Sequence, residues 1–551
     1  MVVARLSDLP EVDSDCPELR KQSEAMLVQE MLFASHLGLS TAIVRLHGMR
    51  HVNLARITYS IVGHHSHCPL FQLWFQVPMV NPEVNAASFR EGEEQPDLED
   101  PWEWWNKFRL LCNSDKKVGV ALELSADLPD EPVISRWLGE PLKSLVLHTS
   151  LFLTNRKGYP VLSQAHQSII KRFAHLNLQV IITGANRHSS IKNYMQYIDH
   201  VYQNSVKSEQ RVPYSSGYED HLQIPLQPLM DNLESTTYEV FEKDPVKYSE
   251  YLNAIYQALI DKVPEEEAET NVQVIMVVGA GRGPLVTASL KAAESANRKV
   301  RIYAVEKNPN AIVTLLSLKE EVWKDSVTVV SCDMRDWPAP EQCDILVSEL
   351  LGSFGDNELS PECLDGPEKF LKPDGISIPC SYTSYIRPLQ SSRLHNGVGE
   401  GTLDKPFHKK FQTPYVVHQL NTYNITPPKP LFTFHHPNRE TPVDHTRYGH
   451  LNFHITQNSV CHGFAGYFDA VLYKDVKLSI LPDTYSKGMF SWFPIYFPIK
   501  EPIRLKKGDE MEVHFWRLAN KKKVWYEWCV SSPVQVPVHN LNGKSSSIGL
   551  Y

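Results

Sequence analysis

Glu349 and Glu358 stand at the two ends of one short loop, ELLGSFGDNE, which follows the apolar run Asp344 to Ser348. Two carboxylates facing one pocket suit a planar guanidinium, whose five donors are best matched by paired acceptors. Taken alone, acids in a loop are more often surface residues, so the surrounding chemistry has to decide. Upstream, Gly279, Gly281 and Gly283 in VVGAGRGP follow the almost continuous apolar run Val272 to Val278. Glycines after a buried strand let the backbone turn sharply beneath a ligand. Glu306 closes the next apolar strand, Val300 to Val305, where an acid is placed to accept two ribose hydroxyls. Asp333 and Met334 follow a third strand, Val327 to Cys332; the carboxylate suits an adenine amino group and the thioether suits the face of the ring. A dinucleotide fingerprint needs a further glycine where Pro284 stands. The spacing therefore favours S-adenosylmethionine over NAD, although an ordinary strand-to-helix turn also uses such glycines.

The elements that must position these residues read as alternating strands and helices. Leu285 to Arg298 is expected to be the helix after the glycine turn, giving a Rossmann-like parallel sheet. Before it, Asp231 to Tyr248 reads as largely helical and Tyr251 to Lys262 as a further helix, which together can fold over a ligand. From residue 1 to about 205, six short apolar strands alternate with amphipathic helices: Val2 to Leu6, Thr41 to Leu46, Phe71 to Val77, Val118 to Leu124, Ser144 to Leu153 and Gln179 to Thr183. The helices include Glu18 to Leu37, Trp102 to Leu111 and Ser163 to Leu176. This is the pattern of a TIM-like β/α barrel, whose closure takes eight strands, so the barrel reads as incomplete. Pro213, Ser215, Ser216 and Gly217 mark a linker. Beyond about residue 375, short β-rich runs punctuated by Pro and Gly predict an antiparallel β-domain, among them Gly375 to Ile378, Tyr382 to Ile386, Val460 to Phe468, Val476 to Ile480, Met511 to Trp516 and Val524 to Val530.

With 551 residues the chain exceeds what one core usually supports, and 42% hydrophobic content marks it as globular. A formal charge of -9 disfavours a nucleic-acid binder and suits a partner rich in arginine. Nine cysteines without a C-x-x-C pair predict neither a disulfide framework nor a zinc pattern. With no long apolar run and no signal-like start, a soluble intracellular protein is expected. The run GHHSH, with His64, His65 and His67, has no matching ligands at a metal-site spacing, and His435, His436, His445, His450, His454 and His462 are scattered, so no metal is expected. The acidic stretch Glu91 to Asp100 reads as a solvated loop, and Trp102, Trp104 and Trp105 as core.

VVGAGRGP, AVEKNPNA and SELLGSF..NELSPECLDG, together with PLQPLMDNLES.TYEVFEKDP.KY, GMFSWFPI and KKVWYEW, resemble the protein arginine methyltransferases, and within them the symmetric dimethylating (type II) class. The resemblance spans most of the chain. It implies an α/β protein with a TIM-like β/α barrel over 1–205, a linker over 206–220, a Rossmann-like methyltransferase domain over 221–375 and a β-barrel domain for oligomerisation and substrate over 376–551. It implies methyl transfer from S-adenosylmethionine, without a metal, to arginine in histones, Sm-type and other arginine-glycine-rich proteins, giving mono- and symmetric dimethylarginine. Glu349 and Glu358 would be catalytic. Tyr238, Lys247 and Tyr248 would join Gly279, Gly281, Glu306, Asp333 and Met334 on the cofactor. Phe241, Ser491 and Trp492 would line the substrate pocket, Phe241 standing where the asymmetric class carries a Met; a core role is the competing reading of Trp492. The expected partners are a second copy of the chain and a WD-repeat propeller, with no membrane and no direct nucleic acid. The expected setting is cytoplasm and nucleus, in chromatin and transcription regulation and spliceosomal snRNP assembly. In the family the barrel is complete, so the chain looks amino-terminally shortened and its docking to the propeller is in doubt. A weakly active scaffold and a nicotinamide oxidoreductase are the alternative readings.

Overall fold

The computed structural model describes residues 3–65, 71–83, 99–208, 217–401 and 405–551. Val2, His67, most of the acidic stretch before Asp100, and Pro213, Ser215 and Ser216 of the expected linker lie outside the described residues. The chain divides into two compact units. One comprises Met1–Arg211 with Gln390–Asn396 and Leu420–Tyr423, the other Val212–Leu389 with Gly397–Gln419 and Asn424–Tyr551.

In the first unit, six parallel strands are hydrogen-bonded in chain order: β1 (Ala4–Arg5), β2 (Thr41–Arg45), β3 (Gln72–Pro78), β4 (Val118–Glu123), β5 (Leu142–His148) and β6 (Gln179–Thr183). Helices Pro17–His36, Pro101–Leu111 and Gln164–Phe173 alternate with them. Among the described residues the sheet is open, with β1 and β6 at its two ends. This is the incomplete β/α barrel that the alternation predicted. β5 is shorter than the sequence reading, because a 3-10 turn, Thr149–Leu151, ends it, with the His148 ring accepting from the Ser150 amide. Trp102, Trp104 and Trp105 are all buried, and the indoles of Trp102 and Trp105 donate to the two oxygens of buried Glu140 at 3.0 and 2.8 Å. A buried carboxylate that takes both indole N–H groups satisfies the polar atoms these rings bring into the core, which makes it a packing device.

In the second unit, a parallel sheet carries β7 (Gln273–Val278), β8 (Val300–Glu306), β9 (Val327–Ser331), β10 (Cys343–Ser348) and β11 (Leu371–Ile378) in the order β9-β8-β7-β10-β11. Every residue of β7 and β10 is buried, as expected of central strands covered on both faces. The strand order reverses between β7 and β10. In open α/β sheets that reversal opens a crevice at the carboxyl ends of the strands, where ligands bind. β11 corrects one expectation: the run Gly375 to Ile378 pairs in parallel with β10 and belongs to this sheet rather than to the antiparallel domain. The remaining runs form antiparallel sheets, with long strands Ser381–Gln390, Ser459–Tyr473, Ile495–Leu505, Glu510–Ala519 and Lys523–Ser532.

The helical segment before β7 is also divided differently from the sequence reading. Helix α1 spans Ser235–Glu242 and helix α2 spans Pro245–Lys262, so the break falls at Asp244. The Asp244 side chain accepts from the amides of Val246 and Lys247, and Pro245 occupies the first helical turn, where a missing N–H costs nothing. Among the described residues no helix is long and apolar enough to cross a membrane.

Candidate active site

The glycine turn after β7 is built from residues whose backbone no other side chain fits. Gly279 and Gly281 have φ of 69° and 55°. A Cβ on Gly279 would meet Leu350 Cδ2 at 2.8 Å, and one on Gly281 would press the Tyr238 ring at 3.1 Å. Gly283, with φ 95°, lets helix α3 (Pro284–Ala296) start against Trp323, which a Cβ would strike at 2.5 Å. The turn thus stays thin enough for a ligand to lie on it.

A cavity of about 1000 Å³, its mouth included, opens on this turn. Gly279, Gly281, Glu306, Asp333 and Met334 line it from the strand ends. Tyr238, Phe241 and Tyr248 line it from helices α1 and α2, and Glu349 and Glu358 close it. The acids at the strand tips are already engaged. Glu306 accepts from the amides of Gly281 at 2.8 Å, Lys307 at 2.8 Å and Asn308 at 2.7 Å, which fixes its carboxylate with lone pairs to spare. Asp333 is held bidentately by Arg335 at 3.0 and 2.8 Å. Burial pushes the Asp333 carboxyl up, but the hydrogen bonds and charge of Arg335 outweigh it, and the group lies below the ordinary carboxylate range. The donor set fits S-adenosylmethionine: a glycine turn, an acid fixed at the second strand tip, and Met334 at the third.

A second cavity, about 1870 Å³ with its mouth, is lined by Lys247, Leu351, Phe490, Ser491 and Trp492. The two cavities share Phe241, Glu349 and Glu358. At this junction the Lys247 ammonium bonds Glu349 at 3.0 Å. It also lies 5.2, 4.9 and 5.0 Å from the ring centroids of Phe241, Tyr248 and Trp492. Burial opposes the Lys247 charge, yet Glu349, Tyr248 and Asp244 hold its pKa above the usual value. A cation in a box of one carboxylate and three aromatic faces is the environment a guanidinium would need. Glu358, packed about by protein and accessible only in part, is pushed well above the carboxylate range by burial and then by the negative charge of Glu349, with Lys247 opposing. Burial also raises the Tyr248 hydroxyl to about 12, with Lys247 opposing and Glu349 adding to the shift.

Residues 209–378 match the PRMT5 arginine-N-methyltransferase family, residues 381–548 the PRMT5 oligomerisation domain and residues 1–204 the PRMT5 TIM barrel domain. The chain is 52% identical over 563 residues to protein arginine N-methyltransferase 5 of Xenopus laevis, covering 100% of this chain and 88% of that protein. The chain belongs to the protein arginine N-methyltransferase 5 family. Other relatives are protein arginine N-methyltransferase 5 of Drosophila melanogaster, 43% identical with 100% and 90% covered, and protein arginine N-methyltransferase skb1 of Schizosaccharomyces pombe, 37% identical with 100% and 89% covered. Among solved structures, the Trypanosoma brucei PRMT1 enzyme-prozyme heterotetrameric complex with AdoHcy aligns at TM-score 0.43 and 16% identity, covering 54% of this chain and 93% of that one. The activity is arginine N-methylation dependent on S-adenosylmethionine.

The catalytic, cofactor and substrate candidates read from the sequence each line one or both cavities of this family member, but Lys247, expected on the cofactor, lines only the second, and Gly283 of the turn lines neither. The structure also adds residues that sequence reasoning passed over. Asp244 caps helix α2 with one carboxylate oxygen and with the other accepts from the amides of Phe490 and Ser491 and from the Ser491 hydroxyl, at 2.8, 2.9 and 2.7 Å. It thereby ties the helix bearing Lys247 to the loop bearing Trp492. Tyr251, wholly buried, donates to the Ser348 carbonyl at 2.8 Å, bracing the end of β10 just before Glu349. The Asp-Pro pair was the legible signal for the first; nothing in the sequence marks the second. Trp492 is both core and site: its indole donates to the Leu351 carbonyl at 2.8 Å and packs perpendicular to the Phe468 ring, while it lines the second cavity. Of the histidines read as scattered, His450 stacks across two strands on His514, which that reading did not include, with ligand atoms of the two rings within 4.8 Å of each other and of Glu512. Both His514 nitrogens are already hydrogen-bonded, to Tyr448 at 2.9 Å and Ser531 at 2.8 Å.

Proposed function

We propose that this protein methylates arginine in arginine-glycine-rich segments, histones and Sm-type proteins among them, and that its end product is symmetric dimethylarginine. The observation that carries the reading is the sharing of Glu349, Glu358 and Phe241 by two cavities, one suited to a nucleoside and one open to an acceptor chain. S-adenosylmethionine supplies an electrophilic methyl group when bound. Glu349 and Glu358 hold the guanidinium in paired bonds, draw its positive charge toward the bound nitrogens and leave the remaining nitrogen relatively electron-rich. Lys247 has to leave Glu349 for this to happen, and the rings of Phe241 and Trp492 then face the incoming cation in its place. The proton shed by the methylated nitrogen has the same carboxylates as its nearest acceptors.

Product choice rests on Phe241. A rigid ring at the junction presses a monomethylated guanidinium so that its unmodified terminal nitrogen faces the methyl donor, whereas a flexible thioether at the same position leaves room for the methylated one. By the same family reading, the natural setting is cytoplasm and nucleus, in chromatin regulation and spliceosomal particle assembly, with a WD-repeat propeller as partner and a second copy joined through the oligomerisation domain. The experiment is fragmentation mass spectrometry of an arginine-glycine-rich peptide methylated by the wild type and by Phe241→Met. Symmetric product from the wild type and some asymmetric product from the variant are expected. Asymmetric product from the wild type would overturn the assignment, and an unchanged product in the variant would remove Phe241 from it.

A further inference from the structure

Leu359, the residue after Glu358, is wholly buried and left-handed, with φ 66° and ψ 34°. A bulky side chain holds that conformation only where its surroundings enforce it, and such strain concentrates where a structure needs one group aimed. Packing against Leu229, Cys363 and Val524 anchors the leucine side chain, but rotation of the flanking peptides is restrained by something else. Asp356 before it and Glu362 after it are gripped by one guanidinium, that of Arg517 on the strand Glu510–Ala519. Nε of Arg517 donates to Asp356 Oδ2 at 2.5 Å, and Nη1 and Nη2 donate to the two oxygens of Glu362 at 2.8 Å each.

The bracket is elaborate for a core. Arg517 and Asp356 are both fully buried. Tyr526, the cross-strand partner of Arg517, donates to the same Asp356 oxygen at 2.5 Å, and the Ser384 hydroxyl lies 3.1 Å from the other one. Ser384 also donates to the Phe354 carbonyl inside the loop at 2.7 Å. Burying Arg517 and Asp356 and partly burying Glu362 adds little stability, because apolar side chains of equal volume fill a core as well; what an ionic bracket adds is one enforced geometry. The geometry enforced here is that of the segment from Asp356 to Glu362, with Glu358 in its middle.

We propose that Arg517 is a positioning residue for methyl transfer: by holding Asp356 and Glu362 it fixes the left-handed turn at Leu359 and so aims the Glu358 carboxyl beside Glu349, letting a guanidinium meet both acceptors at once. The proposal rests on the two-acid reading given above. It assigns to the antiparallel domain a direct part in the chemistry, since the residues that set the loop, Arg517, Tyr526 and Ser384, all lie on strands outside the parallel sheet. The groups that act on the Glu358 carboxyl are Glu349 and Lys247, and Arg517 acts on it only through the backbone.

The test uses the full-length protein with Tyr526→Phe, which removes one hydrogen bond and no charge, and Glu362→Gln, which weakens one arm of the bracket. S-adenosylhomocysteine affinity is measured by calorimetry, and kcat and KM for an arginine-glycine-rich peptide are measured across pH. Cofactor affinity is expected to stay within about twofold while kcat/KM falls about ten- to a hundredfold, the cost of a small misplacement of a binding group. The acid limb of the kcat/KM profile should move to lower pH, because a Glu358 released from Glu349 and reached by water ionises more easily. Peptide turnover and cofactor affinity falling together, or turnover falling with the acid limb unmoved, would show a merely structural bracket and overturn the proposal. Unchanged turnover in both variants would overturn it as well. Glu358→Gln, run alongside, separates the two readings: an active Glu358→Gln sinks the two-acid mechanism itself, whereas an inactive one beside fully active bracket variants sinks only the role of Arg517.

Discussion

Binding of the acceptor arginine is expected to expel one proton, and the structure says from where. Burial and then the charge of Glu349 push the Glu358 carboxyl well above the usual carboxylate range, with Lys247 opposing, and below that raised pKa it has to lose its proton to accept a guanidinium in a paired bond. The arginine is charged throughout, and in the free protein Glu349, Tyr248 and Asp244 raise the Lys247 pKa, so that Lys247 contributes no proton change there across the same range. In the free protein the Glu358 pKa is raised; in the complex the bound cation lowers it. Binding therefore tightens as pH rises from the ordinary carboxylate range up to the raised pKa of free Glu358, and levels off above it. One proton corresponds to about 1.4 kcal/mol per pH unit, or about tenfold in Kd for each unit in that window. The assay is calorimetric titration of an arginine-glycine-rich peptide into the protein saturated with S-adenosylhomocysteine, from about pH 5 to about pH 9, in buffers of different ionisation enthalpy so that the released proton is counted. Glu358→Gln cannot ionise, so its affinity should be flat with pH in this window and weaker at the alkaline end by about 3 kcal/mol, or about a hundredfold, the cost of a charged bond in a dry site. A wild type that binds peptide without releasing a proton, or a Glu358→Gln variant with the wild-type slope, would refute the reasoning.

Gly279→Ala forces a side chain into a left-handed turn and against Leu350, so stability should fall by about 1–2 kcal/mol and S-adenosylhomocysteine affinity with it; a thermal melt and calorimetry check both, and normal affinity would mean that the turn is not part of the cofactor floor. Asp244→Ala removes the cap of helix α2 and the acceptor for Phe490 and Ser491, so about 2 kcal/mol of stability should go; because the same carboxylate ties Trp492 to the helix of Lys247, peptide KM should rise more than cofactor Kd, and equal changes in the two would deny that tie.

Much of this architecture was legible in the chain because its signals are local. The buried runs of β7, β8 and β10 announce a parallel sheet by continuous apolar residues, and the barrel strands do the same. Positions 279, 281 and 283 need glycine for conformational reasons that act within a few residues. The helix break at Asp244 was also written locally, in an Asp-Pro pair, and was read a few residues late. β11 could not be assigned from its own residues, because a short apolar run before a proline reads alike in either sheet, and only its pairing with β10 decides. What required the tertiary structure was everything that depends on approach between distant segments. Glu349 and Glu358 share a loop, but only the crevice between β7 and β10 gives them two cavities to join. The Lys247 ammonium finds Glu349 and Trp492 only when helix α2 and the loop after Met489 close on the strand ends. Arg517 reaches Asp356 across a separation no periodicity encodes. Propensity and patterning act between neighbours along the chain, whereas the pKa of a buried acid and the aim of a carboxylate are set by desolvation and by charges that folding alone brings near.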